Sequence, residues 1–395
     1  MRWASASAHG PDAKDLVARV AAEVVAGLLG SPPHVALAFL GPRHILAAAD
    51  ILQGVRRALG PVPVVGCSAG GVIGGGREHE QPAALSLTAG SLPGVAVSPF
   101  HVEDDELPDA DAPPAAWHRP LGVPASPPPI FVLLADPFTI RAEALLEGLD
   151  FSFPASVKVG GLASGASRPG AQALFSGDRV VASGAVGVAL TGDVALTPAV
   201  AQGCRGFGPV LTVTACEGTL LQGLDGAPAL DGVRRVLAEA SERDRSLARS
   251  TALFLGVKTD PFSADAGDGA WLIRNVLGVD PEAGSLHVGE VLRPGRRVRF
   301  HVRDRVTSAE DLDRTLSKAQ GAGGAPASGA LLFSCMGRGM HLYGVPDHDT
   351  RAFQAHFSGV PLGGFFCSGE IGPVGGETRL HGYTSSFGIF RSAKV

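Results

Sequence analysis

The stretch that decides the fold lies near the end of the chain and reads LLFSCMGRGM (331–340), PLGGFFCSGEIG (361–372) and LHGYTS (380–385). An apolar run that predicts a strand leads into a glycine-rich loop. A helix-length segment separates it from a second apolar run that ends in the same way. Chemically versatile side chains follow these runs, where loops rather than packed faces place them. The candidate functional residues of this stretch are Cys335, Arg338, Gly339, Cys367, Gly369, Glu370, His381 and Thr384.

The same strand, helix and glycine turn recur earlier in the chain. VALAFL (35–40) and IFVLLAD (130–136) are predicted strands, and a helical pattern and a second strand follow each. Three turns share one Gly-x4-Gly spacing, namely GCSAGG (66–71), GGLASG (160–165) and GFFCSG (364–369). The recurrence predicts duplicated modules within one architecture. Cys67 and Ser68 of the first turn join the candidate functional residues, whereas the middle turn is interpreted as structural, because glycine lets strands approach closely.

The remaining chain predicts α+β architecture. Asp12 is expected to cap an amphipathic helix, Ser308 to cap a later one, and the proline-rich residues 107–129 to form a surface loop. Alternating runs between 251 and 303 predict an antiparallel meander. Asp225 and Gly226 predict a hairpin turn near a domain boundary. We therefore predict mixed and antiparallel sheets flanked by helices, in two domains with internally repeated strand-helix-strand modules, at 30–226 and 227–390.

Composition excludes several classes of function. The 395 residues are 45% apolar and only 18% charged, and the formal net charge of −5 provides no basic footprint for nucleic acid. No apolar run has the length of a membrane span, and the first residues do not resemble a signal peptide. Five cysteines without a C-x-x-C pair predict reduced thiols, and the histidines lack metal-ligand spacing. The expected protein is cytoplasmic and needs no cofactor, metal, membrane or nucleic acid.

Taken together, the motifs resemble the FIST sensory-domain family, with an N-terminal FIST portion followed by a FIST C-terminal portion. The segments that carry the resemblance are VVGCSAGGVIGGGREHE (64–80), ALSLTAGSLPG (84–94), VTACEGTLLQGLDGAPAL (213–230), LIRNVLGVDPEAGSLHVGE (272–290), FSCMGRG (333–339), PLGGFFCSGEIGP (361–373) and HGYTSSFGIF (381–390). The resemblance implies a small-ligand-binding sensory protein of intracellular signal transduction, with an amino acid or similar metabolite as the expected ligand. Some relatives join the domain to signalling output modules or to an F-box. This sequence shows neither, so its output is expected to need a signalling partner protein.

Three functions stay open for these residues. In a sensor, Arg338 and Glu370 would hold the carboxylate and the ammonium of an amino acid. In a protein-interaction scaffold, the same two residues would pair with each other, as a structural ion pair does. In a cysteine-dependent enzyme, the least favoured of the three, Cys335 would be the nucleophile, His381 its base and Glu370 the group that orients the base. The histidine is otherwise expected to bond to its own turn.

Overall fold

The computed structural model describes residues 1–109, 111–123, 126–250, 253–259 and 271–394. It contains 28% helix and 40% strand, which confirms the α+β class. Two compact units divide the chain: the first comprises Met1–Ala201, Asp313–Pro373 and Thr378–Val395, and the second Gln202–Leu312 and Val374–Glu377. These units do not follow the predicted division near Gly226, which stays a prediction about sequence domains. No helix of the described residues is both long and apolar enough to cross a bilayer.

The first unit is built from three repeats of one pattern, in which strand, helix, strand, helix and strand lead into a hairpin and a last strand. The first repeat consists of β1 (Arg2–His9), α1 (Ala13–Gly27), β2 (Val35–Leu40), α2 (Ala48–Leu59), β3 (Val64–Ser68), β4 (Gly71–Gly74), β5 (Arg77–His79) and β6 (Ala84–Ser91). The second consists of β7 (Val95–Val102), α3 (Pro114–Leu121), β8 (Ile130–Ala135), α4 (Ala142–Ser152), β9 (Lys158–Leu162), β10 (Leu174–Gly177), β11 (Arg179–Val181) and β12 (Ala185–Gly192).

The second unit interrupts the third repeat. β13 (Ala195–Ala201) opens that repeat, and the chain then forms β14 (Arg205–Glu217), β15 (Leu220–Leu224), β16 (Ala227–Pro228), α5 (Ala229–Glu239), α6 (Glu242–Ser250), β17 (Phe254–Lys258), β18 (Trp271–Asp280), β19 (Ser285–Val288) and β20 (Arg297–Val302). The third repeat resumes with α7 (Arg305–Gln320), β21 (Gly329–Cys335), α8 (Gly339–Tyr343), α9 (His348–His356), β22 (Leu362–Cys367), β23 (Glu370–Val374), β24 (Glu377–His381) and β25 (Ser385–Arg391).

The repeats exchange their hairpins in a closed cycle. The three six-stranded sheets have the orders β1-β6-β2-β3-β10-β11, β24-β23-β9-β8-β12-β7 and β13-β25-β21-β22-β4-β5. Each sheet thus holds four strands of its own repeat and a two-stranded hairpin from another. At the centre of each sheet lies one parallel pair, namely β2 with β3, β8 with β9, and β21 with β22. The predicted duplication of strand-helix-strand modules is confirmed, and it has three copies.

A glycine allows each parallel pair to come together. If Gly66, Gly160 or Gly364 carried a Cβ atom, that atom would lie 1.8, 1.8 or 1.9 Å from a carbonyl oxygen of the partner strand. The oxygens belong to Ala38, Leu133 and Leu332, which are the Cα partners of these glycines in the strand register. The three Gly-x4-Gly turns therefore begin at equivalent positions of the three repeats. The shared spacing has a steric cause, because no side chain fits where the two backbones meet.

The second unit is an antiparallel sheet with the order β14-β20-β17-β18-β19-β15-β16. The predicted meander is confirmed for β17, β18 and β19, whereas β20 pairs with β17 and β14 instead of β19. Asp225 and Gly226 adopt positive φ angles of 49° and 83° in the turn between β15 and β16, as predicted. The predicted cap at Ser308 was wrong. Asp304 accepts from the backbone N of Thr307 at the start of α7, and Ser308 lies inside the helix.

Two further predictions needed correction, and one was confirmed. Residues 107–129 were expected to form only a loop, yet they contain α3, whose Trp117 is buried. The strand β1 was missed, although its Trp3 packs against Phe390 with ring centroids 4.6 Å apart. The cap of α1 was predicted correctly, because Asp12 Oδ1 accepts from the backbone N of Lys14 at 2.8 Å and of Asp15 at 3.0 Å.

Candidate functional site

The three glycine turns meet at one place. The backbone N of Ser164 and of Gly165 donate to the carbonyl oxygen of Ser68, each at 3.2 Å. Ser368 N donates to the Leu162 oxygen at 3.1 Å, so the third turn is bonded to the second. The Ser164 hydroxyl accepts from Gly70 N at 2.8 Å and donates to the carbonyl oxygen of Phe366. The middle turn, which was interpreted as structural, therefore connects the other two.

The loop that follows β21 lies beside these turns. Met336 N donates to the Cys367 oxygen at 3.1 Å, and the Met336 side chain, 47% exposed, occupies the space next to Gly70. A Cβ on Gly70 would lie 2.3 Å from the Met336 sulfur. Glu80, which follows β5, lies next to this loop, and its Oε1 accepts from Met340 N in α8 at 2.8 Å. We call Gly70, Glu80, Ser164, Cys335, Met336, Gly337 and Ser368 the rim, because none of them is fully buried.

Arg338 lies beneath the rim and is wholly buried. Its Nε donates to Asp349 Oδ2 at 2.8 Å and its Nη2 to Asp349 Oδ1 at 3.2 Å, which makes a bidentate ion pair. Nη2 also donates to the Tyr343 hydroxyl at 2.5 Å, and Nη1 to the Tyr383 carbonyl oxygen at 3.4 Å. Burial opposes the charge of the guanidinium, but the Asp349 carboxylate outweighs it, so the pKa of Arg338 is raised.

Asp349 is a residue of this buried cluster that the sequence analysis missed. Its Oδ2 accepts from the hydroxyls of Ser385 at 2.6 Å and Ser334 at 3.2 Å, and its Oδ1 lies 3.1 Å from Nδ1 of His348. Burial raises the pKa of this carboxyl, but the positive charge of Arg338 outweighs burial and holds the pKa far below its ordinary value. A run of polar residues, DHDT (347–350), at the start of the predicted helix was the signal that could have revealed it.

Glu370 forms a second buried cluster with a neighbouring thiol and a backbone amide. Its Oε2 accepts from Thr384 N at 2.9 Å, and its Oε1 accepts from the Cys367 thiol at 3.4 Å. The pKa of Cys367 is raised well above its ordinary value, first by burial and then by the charges of Glu370 and Cys335. The structure therefore brings Cys335, Cys367, Glu370 and Thr384 together.

The other predicted site residues have separate surroundings. His381 Nε2 bonds at 3.0 Å to the oxygen of Gly372, which lies within β23 and not, as had been expected, in the turn next to the histidine. Gly339 has a φ of +58° and faces Glu80, whose carboxylate would lie 2.6 Å from an added Cβ. Gly369 accepts from Leu162 N through its carbonyl oxygen.

The first glycine turn contributes a core residue and a turn residue. Cys67 lies in the apolar core of the first unit, and burial raises the pKa of its thiol well above its ordinary value. Ser68 bonds through its hydroxyl to Gln172 and accepts from Ala173 N at 3.0 Å. Of the ten predicted site residues, nine are buried and Cys335 is partly exposed. A ligand that approaches from solvent would therefore meet the rim first.

Glu78 is a further buried acid that the sequence analysis did not single out. It lies on β5, and its Oε1 accepts from Thr350 N at 2.7 Å at the start of α9. Its backbone N donates to Asp347 Oδ1 at 2.7 Å. Its Oε2 is buried and accepts no hydrogen bond from the described residues. Burial, followed by the negative charge of Asp349, raises the pKa of Glu78 from 4.5 to about 8.

The raised pKa of Glu78 predicts that the first unit loses stability as the pH rises. The folded state retains the proton from pH 4.5 to about 8, whereas the unfolded state has already lost it. The free energy of unfolding should therefore fall by up to about 1.4 kcal/mol per pH unit across this window and level off above it. Denaturant unfolding of wild type and Glu78→Gln between pH 5 and 9 measures the effect, with the exposed Glu147→Gln as control. A constant difference between wild type and Glu78→Gln would contradict it.

Three surface cavities of the first unit lie away from the predicted site residues Arg338 and Glu370. Three surface cavities of about 410, 450 and 400 Å³ lie in the first unit, and neither Arg338 nor Glu370 lines any of them. Within the described part of the chain, no group of three or more His, Cys, Asp or Glu side chains is placed to hold a metal ion.

Comparison with known proteins identifies the family. The FIST N domain matches residues 34–227 and the FIST C domain residues 229–373. The chain is 35% identical over 380 residues to the uncharacterized protein Mb0898c of Mycobacterium bovis, covering 96% of each chain. It is 34% identical over 390 residues to the uncharacterized protein Rv0628c of Mycobacterium tuberculosis, covering 99% of this chain and 100% of that one.

Among solved structures, cyanuric acid hydrolase from A. caulinodans aligns over 100% of both chains, with 10% identity and a TM-score of 0.31, which is too low to establish a shared fold. Two domain matches in the predicted order, together with relatives similar along their whole length, show that this chain belongs to the FIST family.

Proposed function

We propose that this protein is a small-ligand sensor of signal transduction and that the ligand binds at the rim. The observation that carries the proposal is the meeting of all three glycine turns beside the loop after β21, where each repeat supplies part of one surface. FIST domains are associated with sensing in signal transduction, which supports the same function. A separate partner protein would convert binding into an output.

An amino acid or a similar metabolite fits the charges and donors at the rim. The exposed Glu80 carboxylate offers a partner for an ammonium group. Gly70 N, Ser164 N and Ser368 N already donate to protein oxygens, so a ligand carboxylate at the glycine turns would have to replace one of these acceptors. In this proposal Arg338 does not contact the ligand, because its Nε, Nη1 and Nη2 atoms already donate to protein oxygens. Arg338 and Glu370 act as positioning residues that hold the loops from below.

A thermal-shift screen against the amino acids and related carboxylates tests the proposal. A ligand present at about 100 times its Kd should stabilise the folded protein by about 2.7 kcal/mol and raise its Tm by several degrees. Glu80→Gln should abolish this rise for ammonium-bearing ligands, while the unliganded Tm stays near that of wild type. The matched control is Glu147→Gln, a surface acid on α4, which should respond like wild type. If no compound raises the Tm of wild type, the sensor proposal fails.

A protein-interaction scaffold is the second candidate function. An apolar groove of about 410 Å³ lies between α1 and α2, lined by Val17, Ala21, Val25, Ile51 and Gly54 among others. Val25 is 45% exposed there and adds to the apolar lining. An apolar helix of a partner protein is the occupant that such a groove suits. This function becomes the favoured one if the ligand screen finds no stabilising compound.

A further inference from the structure

Two of the five cysteines are neighbours at the ends of the central parallel strands of the third repeat. Cys335 is the last residue of β21 and Cys367 the last of β22, and the two are Cα partners in the register. Adjacent strands run about 4.8 Å apart, and disulfides join Cα atoms about 4.4–6.8 Å apart. The backbone spacing therefore already suits a bond between the two sulfurs.

The two side chains share one face of the sheet. Phe333 and Phe365, two positions before each cysteine, lie in the same apolar core cluster as Cys367. Because side chains alternate along a strand, Cys335 lies on that face as well. The Cys367 sulfur leans towards β21, since it lies 3.4 Å from the carbonyl oxygen of Ser334.

The two thiols differ in their exposure to solvent, and this difference gives them different roles in an oxidation. Cys335 is partly exposed at the rim and Cys367 is fully buried. An oxidant from solvent therefore reaches Cys335 first. Cys335 also interacts electrostatically with Arg338. Cys367 has a proton acceptor in place, because its thiol already donates to Glu370 Oε1.

We propose that Cys335 and Cys367 form a redox-sensitive dithiol that a hydroperoxide converts into a disulfide. In the first step the Cys335 sulfur attacks the outer oxygen of the hydroperoxide, the O–O bond breaks, and the products are a sulfenic acid and an alcohol, or water from hydrogen peroxide. In the second step Cys367 attacks the sulfenic sulfur, and the displaced hydroxyl leaves as water with the thiol proton, which passes through Glu370. In total the thiols lose two electrons and two protons, and the peroxide is reduced.

The disulfide changes the surroundings of the rim. It joins the end of β21 to the end of β22, and it removes the hydrogen that Cys367 donates to Glu370. Glu370 Oε2 keeps its bond from Thr384 N. Oxidation would thus change the bonding next to the surface where the three repeats meet, whether or not a small ligand is bound. The inference does not rest on the proposed function.

Peptide mapping of the native full-length protein tests the inference. The protein is treated with hydrogen peroxide, its remaining thiols are alkylated under denaturing conditions, and trypsin is added. Trypsin separates the two cysteines, because Arg338 and Arg351 lie between them, and places them in peptides 319–338 and 352–379 with one cysteine each. We expect these peptides to be joined, to separate on reduction, and the titrated thiols to fall from five to three.

Serine variants make the test specific. Cys367→Ser should trap the sulfenic acid of Cys335, which dimedone labels, and Cys335→Ser should leave Cys367 unoxidised. The partly exposed Cys216→Ser is the matched control and should form the disulfide as wild type does. The thermal melting curve of each variant verifies its fold. Recovery of the two peptides unlinked from oxidised wild type would overturn the inference, and that result needs no variant.

Discussion

Arg338→Met is expected to lower the free energy of unfolding by about 3–5 kcal/mol, because it leaves the Asp349 carboxylate buried without its counter-charge. The ion pair is inaccessible to solvent on both sides, with side-chain exposures of 0% and 2%, so water cannot replace the lost partner. Arg338→Lys should recover only part of the loss, since an ammonium cannot form the bidentate pair. Denaturant unfolding followed by circular dichroism measures each variant.

A rescue and a surface control show whether the unpaired charge is the cause. The double variant Arg338→Met, Asp349→Leu removes both charges and should recover much of the stability, because a buried ion pair and an apolar pair of similar volume are often close in energy. Arg19→Met removes an exposed arginine from its pair with Asp15 and should cost less than about 1 kcal/mol. A loss below about 1 kcal/mol for Arg338→Met would mean that the buried pair is not a determinant of stability.

Alanine at Gly66, Gly160 or Gly364 is the second change with a large expected effect. Each Cβ would lie within 1.9 Å of a backbone carbonyl oxygen, so the parallel strands would have to separate. We expect each variant to lose about 3 kcal/mol or more, or to fail to fold. The yield of soluble protein and the denaturation midpoint are the measurements.

The matched control for these variants is a strand glycine with room for a methyl group. Gly278 lies in β18, and the nearest atoms to its Cβ would be 3.9 Å away. Gly278→Ala should therefore leave stability within about 0.5 kcal/mol of wild type. If Gly160→Ala were as stable as this control while the other two were not, the three repeats would not be sterically equivalent.

Sequence patterns predicted the elements whose signals are local. β2 was read correctly because an unbroken apolar run of six residues ends at Gly41, and α1 because Asp12 precedes an apolar stripe at helical spacing. β1 was missed because alanine and serine alternate in it, so its buried face is small and weakly apolar. The three glycine turns were recognised from their spacing, but the meeting of the turns was not.

The site was predicted only in part, because its contacts join distant parts of the chain. Glu78 and Thr350, which bond to each other, are 272 positions apart, and only the exchange of the β4–β5 hairpin brings them together. The sequence offered Glu370 as the natural partner of Arg338, since both follow strands. The partner in the structure is Asp349, from the helix between those strands. The sequence showed which residues are charged, but it did not show which of them pair with each other.

The hairpin exchange also sets the order in which a nascent chain can complete its fold. β4 and β5 pair with each other, but β4 cannot join its sheet until Leu362 and the residues after it, which form β22, leave the ribosome. β13 likewise waits for β25 at the far end of the chain. At about 5–20 residues per second, the roughly 160 residues between Ala201 and Leu362 take roughly ten to thirty seconds to make. During that interval β4 and β13 lack their later partners, and exposed strand edges of this kind favour aggregation.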